Sequence, residues 1–139
     1  MSVKIDGLKD VLSSFDDLGD TKKLEAVLTQ ACLLVERSAK QNAPKDTGAL
    51  RRSITSEIRN NGSDLVGVVF TPLEYAPYIE YGTGLFAEEG GRQDAWWYLD
   101  DEGNWHSTSG MKPQPYLRPA LNENREKILR MFKEGINND

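Results

Sequence analysis

Ala43-Pro44-Lys45-Asp46-Thr47-Gly48-Ala49-Leu50-Arg51-Arg52-Ser53-Ile54 is the stretch at which this chain changes its period. Upstream, Leu24, Val27, Leu28, Ala31, Leu34 and Val35 form one apolar stripe at helical spacing. That spacing predicts a long helix over residues 21–41. Asp20 or Thr21 can cap it by accepting from free backbone N–H groups. It should stop before Pro44, because the residue preceding proline is pushed out of the α region. Asp46 and Thr47 then suit a cap, Gly48 a turn, and Leu50 the anchor of a short helical turn over residues 49–52. From Ile54 the pattern becomes that of a strand.

The strand predicted at residues 53–59 is followed by Asn60-Asn61-Gly62-Ser63, and Asn61-Gly62 suits a hairpin turn with positive φ. The return strand, about residues 64–70, reads Leu65-Val66-Gly67-Val68-Val69-Phe70. It is apolar on both faces, the mark of a central or covered strand. Residues 2–5 suit a short strand, and residues 7–18 carry Leu8, Val11, Leu12, Phe15 and Leu18 at helical spacing. Beyond Pro72, residues 75–81 read as a short helix. Pro77 fits its first turn, where a missing N–H costs nothing, and Gly82 stops it. At least one of Gly48 and Gly82 should have positive φ. A last helix with Pro119 in its first turn runs to about residue 135, with Ala120, Leu121, Ile128, Met131 and Phe132 toward the core.

Residues 85–112 differ in character. All three tryptophans lie there. Ala95-Trp96-Trp97-Tyr98-Leu99 is a strand candidate, Asp100-Asp101-Glu102-Gly103-Asn104 a turn, and Trp105-His106-Ser107-Thr108 the returning strand. This reads as a β-hairpin arm. A hairpin cannot bury both faces in a small domain, and exposed aromatic patches mark interfaces. Phe86, Trp96, Trp97, Tyr98 and Trp105 are therefore the candidate interface residues, because Trp and Tyr dominate interface hot spots.

At 139 residues the expectation is a single domain, 1–139. Its class is α+β: a small, mostly antiparallel sheet packed on the long helix of the N-terminal half and on the C-terminal helix. Net charge is −5, which argues against tight nucleic-acid binding, since that needs Lys and Arg on phosphates. The lone Cys32 cannot form an internal disulfide and reads as a small buried residue in a reducing compartment. No run approaches the 18 or so apolar residues of a membrane span.

Catalytic chemistry finds little purchase. The only histidine, His106, neighbours Ser107 and Thr108, but adjacent strand residues point to opposite faces. One His and one Cys on separate elements do not make a zinc site. Acids cluster at Glu88, Glu89, Asp94, Asp100, Asp101 and Glu102, but Asp100-Asp101-Glu102-Gly103-Asn104 lacks the alternating spacing of a calcium loop and reads as a solvated turn. Gly82-Thr83-Gly84 is followed by Leu85-Phe86, not by the Lys and Ser or Thr of a phosphate loop. Arg51, Arg52 and Arg59 read as surface charges paired with acids. No catalytic, cofactor or metal residue is assigned.

Three motifs stand in order: Asp46-Thr47-Gly48-Ala49-Leu50-Arg51, then Tyr75 to Gly84 around Tyr81-Gly82, then Pro113-Gln114-Pro115-Tyr116-Leu117-Arg118-Pro119-Ala120. With a helix before the first and after the last, the chain resembles the phage tail-completion family named for gene product ten of an HK-type phage. The likeness covers about residues 20–135. It implies that Asp46, Thr47, Gly48, Leu50, Arg51, Tyr81, Gly82, Leu117, Arg118 and Pro119 are structural hallmarks. It also implies a non-enzymatic virion protein without cofactors, made in the bacterial cytoplasm. Its place would be the tail or the head–tail junction, as a homo-oligomeric ring between connector and tail-tube proteins. Two other readings stay open: a general protein-interaction module using the aromatic arm, and a small metal-dependent hydrolase using the acidic cluster.

Overall fold

A computed structural model describes residues 1–5, 21–45, 48–60 and 65–137. The predicted helix at residues 7–18, the caps Asp46 and Thr47, and the turn residues 61–64 lie outside the described residues. The elements are β1 (Ser2–Ile5), α1 (Thr21–Asn42), α2 (Ala49–Ser53), β2 (Thr55–Asn60), β3 (Leu65–Phe70), α3 (Ala76–Tyr81), a 3₁₀ turn (Gly84–Phe86), β4 (Trp96–Leu99), β5 (Trp105–Thr108) and α4 (Leu117–Asn137). The class is α+β with antiparallel sheets. The chain divides into two compact units, residues 1–72 with 116–139, and residues 73–115.

The first unit is a three-stranded sheet in the order β1-β3-β2, with α1 packed on β2, β3 and α4. β3 is central, as its doubly apolar sequence predicts. It pairs antiparallel with both neighbours, Val3 opposite Val69 and Ser56 opposite Val69. Val68 and Val69 point to opposite faces, and both are fully buried. β2 is an edge strand. Its exposed side chains include the Arg59–Glu57 ion pair, and Arg59 also lies over the Phe70 ring. Charge on an edge discourages further strand addition.

The predicted α1 stripe faces inward. Leu24, Leu28, Ala31 and Val35 are buried, together with Cys32, Ala39 and Ala43, which complete the same face. From α4, Ala120, Ile128 and Phe132 are buried, and Tyr116 and Leu117 seal the entry to the helix. Two side-chain amides tie the helices. Asn124 Nδ2 donates to Ser38 Oγ (2.8 Å) and to Ala120 O (2.7 Å), and Asn42 Nδ2 donates to Tyr116 O (3.5 Å).

α1 approaches the sheet closely at Gly67. A Cβ there would run into Cys32 Sγ and lie 3.1 Å from Leu28 Cδ1. Glycine is thus used in β3 for proximity, although it weakens an isolated strand. Burial, with a smaller contribution from Glu36, pushes the Cys32 thiol up to about 11, so the group stays neutral in the core.

The first motif turns as predicted. Gly48 has φ 69° and precedes α2, and Arg52 N–H donates to Gly48 O (3.0 Å). Leu50 is buried. Ser53 donates its hydroxyl to Leu50 O (2.6 Å), which leaves the buried Thr71 to donate to Ser53 Oγ (2.7 Å). These bonds tie the start of β2 to the end of β3.

In the second unit, Pro77 sits in the first turn of α3, and Gly82 ends that helix with φ 83°, donating to Tyr78 O (2.9 Å). The segments flanking the hairpin then run side by side. Thr83 N–H donates to Met111 O (2.9 Å), Met111 N–H to Thr83 Oγ1 (2.8 Å), and Leu85 N–H to Ser109 O (2.8 Å).

The Gly67 contact is open to a direct test. Gly67→Ala should destabilise the protein by about 1–3 kcal/mol, the usual cost of overpacking. Cys32→Ala in the same chain should recover part of that loss, a coupling that chemical denaturation of the four-member cycle would measure. A Gly67→Ala protein as stable as the wild type would remove the close approach from the account.

Candidate interaction surface

β4 and β5 form the predicted antiparallel hairpin, somewhat shorter than the segment 85–112 from which it rises. Its register pairs Trp96 with Thr108, Trp97 with Ser107, Tyr98 with His106 and Leu99 with Trp105. Residues directly opposite in an antiparallel pair share a face, and successive residues alternate. One face therefore carries Trp97, Leu99, Trp105 and Ser107. The other carries Trp96, Tyr98, His106 and Thr108.

The two faces differ in their surroundings. Trp97, Leu99 and Trp105 are 67%, 54% and 65% exposed, forming one apolar face that the rest of their own unit leaves open. Trp96 is half-buried. Its ring lies so close to Gly84 that a Cβ there would stand 2.8 Å from two ring carbons, and the Arg92 guanidinium sits 5.4 Å from its centre. Tyr98 stacks on His106 with ring centres 5.3 Å apart. Phe86, on the 3₁₀ turn, lies under Lys112 Nζ at 5.9 Å. The five aromatic candidates thus separate into the two most exposed, Trp97 and Trp105, and three with ring or cation neighbours in their own unit, of which Tyr98 and Phe86 are still exposed. Leu99 joins the exposed pair. Counting cross-strand register over the five-residue turn would have found it, since that places Leu99 opposite Trp105.

Asp100 organises the turn. Its Oδ1 accepts from the N–H groups of Glu102 (2.9 Å) and Asn104 (2.8 Å), and its Oδ2 lies 2.6 Å from His106 Nε2. Its own N–H donates to Asn104 O (2.9 Å). The Asn104 amide first, then His106 and the Glu102 amide, hold the Asp100 carboxyl below its ordinary value. A solvated turn was expected here. Residues 101–104 are exposed, as that reading has it, and the Asp100 carboxylate in addition cross-links turn and strand; the signal was the Asp100 to His106 spacing across a tight reversal. Ser107 lies on the opposite face from His106, so no Ser–His couple forms.

The remaining motif residues are placed as follows. Gly48, Leu50 and Arg51 flank and form α2, and Leu117, Arg118 and Pro119 make the first turn of α4, all in the first unit. Tyr81 and Gly82 close α3 in the second. There, Tyr78, Tyr81, Glu88, Glu89 and the glycines 82, 84, 90 and 91 line an open groove of about 500 Å³. Among the described residues no group of three or more His, Cys, Asp or Glu side chains is placed to hold a metal ion, and no helix is long and apolar enough to cross a membrane.

A small α+β scaffold with an exposed aromatic hairpin has the makings of a protein-binding component. The chain belongs to the HK97-gp10-like family, described as "Bacteriophage HK97-gp10, putative tail-component", which matches residues 6–82, more than half of its length. The match takes in α1, the first motif, the sheet strands β2 and β3, and α3, and it ends at Gly82. The hairpin lies beyond it. No curated protein and no solved structure matches the chain.

The Asp100 cross-link makes the hairpin acid-sensitive. A carboxyl held below its unfolded value contributes stability that is fully present above that unfolded value and lost as pH falls through the folded one. The Glu102 and Asn104 amide resonances should therefore move upfield together as pH drops below the ordinary carboxylate range, while α1 stays unchanged. Asp100→Asn should flatten that response. An equal response in the variant would assign it to another group.

Proposed function

We propose that this chain is a non-enzymatic structural protein of a bacteriophage or prophage tail. In this reading it self-associates into a ring that completes the tail or joins it to the head, between connector and tail-tube proteins. Its membership of a family of tail components supports the reading. The observation that carries it furthest is the uncovered face formed by Trp97, Leu99 and Trp105. Large aromatic side chains held on a short, cross-linked hairpin lose little conformational freedom on docking, which is what a binding anchor requires. Trp96 supports that face by lying against Gly84 outside the hairpin, and Tyr98 by stacking on His106 across its two strands. The net charge of −5 suits protein neighbours, with DNA passing through instead of being bound tightly. Contact between different patches on successive subunits generates rings when the rotation closes.

Replacing Trp97 and Trp105 with Ala tests this. The variant should fold, as judged by circular dichroism, because neither side chain is buried. Its incorporation into tails in a complementation assay should drop, with a loss of about thirtyfold or more in affinity if both residues act as anchors. Normal complementation by the folded variant would remove the hairpin from the interface.

A further inference from the structure

A second uncovered surface lies in the first unit. Leu33 is half exposed on α1. Arg37 and Lys40 follow it at i+4 and i+7, on the same helical face. With Glu36, Gln41 and Arg51 of α2 they line a cleft of about 350 Å³. Its rim holds three cations against one carboxylate, and that carboxylate is already engaged, with Glu36 Oε2 3.6 Å from Lys40 Nζ. The cleft therefore offers one exposed leucine within a positive rim.

The hairpin carries the opposite set. Its exposed face presents two indoles and a leucine, and the turn between Leu99 and Trp105 adds the exposed acids Asp101 and Glu102. Indole faces attract guanidinium and ammonium groups. Within the chain, cations already sit over Trp96, Phe86 and Phe70. The hairpin is thus apolar, aromatic and acidic where the cleft is apolar and basic. The chain as a whole is acidic, at net −5. A basic cleft against that background steers an acidic, aromatic projection toward itself.

We propose that the α1 cleft around Leu33, Arg37, Lys40 and Arg51 is the docking site for the Trp97–Leu99–Trp105 face and acidic turn of a second copy of this chain. Trp105 covers Leu33 between the guanidinium groups, and Asp101 and Glu102 meet the basic rim. The two patches are different, so the contact is head-to-tail and leaves one free patch of each kind at every step, as a ring or filament requires. This rests on the reading of the chain as a self-associating tail component, and it adds which surfaces meet.

Charge exchange tests it. Sedimentation velocity at low salt would compare the wild type, Arg37→Glu/Lys40→Glu and Asp101→Lys/Glu102→Lys. Each variant alone should self-associate at least tenfold more weakly than the wild type. Mixing the two variants should restore association, because every cleft then meets a hairpin of opposite sign. Restoration also shows that both variants are folded. A wild type that stays monomeric at every concentration, variants that associate like the wild type, or a folded pair that does not rescue one another would each overturn the proposal. Tail incorporation separates this from the broader reading. Variants that fail to enter tails while their self-association is unchanged place another virion protein on these surfaces and leave the tail role intact. Absence of the wild-type chain from purified tails would sink that role itself.

Discussion

The approach of α1 to β3 at Gly67 is the constraint on which the first unit depends. A side chain missing from a strand lets a packed helix come closer to the sheet at that point. The vacancy at Gly67 admits Cys32 and Leu28. Once the helix is seated there, its small inward residues Ala31 and Ala39 lie in the core with Ala43 just beyond it, Ser38 reaches Asn124 of α4, and Asn42 reaches Tyr116 at its entry. Interiors of this density leave little room for adjustment, so one methyl group at residue 67 is felt by every element packed on α1. The first motif then has a clear task. Gly48, Leu50 and Ser53 reverse the chain after the helix and fasten the start of β2 to the end of β3.

The second unit is organised differently. It has little apolar interior of its own, and polar bonds set its shape. Backbone bonds between residues 83–85 and 109–111 hold the base of the hairpin, and the Asp100 carboxylate holds its tip. An isolated two-stranded hairpin is at best marginally stable in water. Clamping both ends of a short one keeps it formed while a whole face stays uncovered. That suits the docking role proposed for it.

Much of the scaffold was legible in the sequence because periodicity reports burial. The α1 stripe, the doubly apolar β3 and the Pro77 and Gly82 punctuation each lead to the element they predict. The hairpin was legible from its turn residues. Side-chain partnership across a register was not. Periodicity says that Trp96 and Trp97 face opposite ways, but not that Trp96 meets Gly84 and Arg92 while Trp97 stays two-thirds exposed. The cross-link from Asp100 to His106 and the cleft around Leu33 were missed for the same reason. Both depend on groups brought together by a turn or by a second helix, and neither leaves a mark in composition. The motif residues Asp46 and Thr47 lie outside the described residues, so their capping role stays an expectation from the sequence.

The central claim is that a fixed scaffold presents the hairpin to neighbouring proteins. Hydrogen–deuterium exchange of the free chain and of the chain assembled in tails tests it most directly. Amides of residues 96–108 should gain the largest protection on assembly, while those of β3 and the inward face of α1, already slow in the free protein, should change little. Protection gained elsewhere with none at residues 96–108 would contradict the claim.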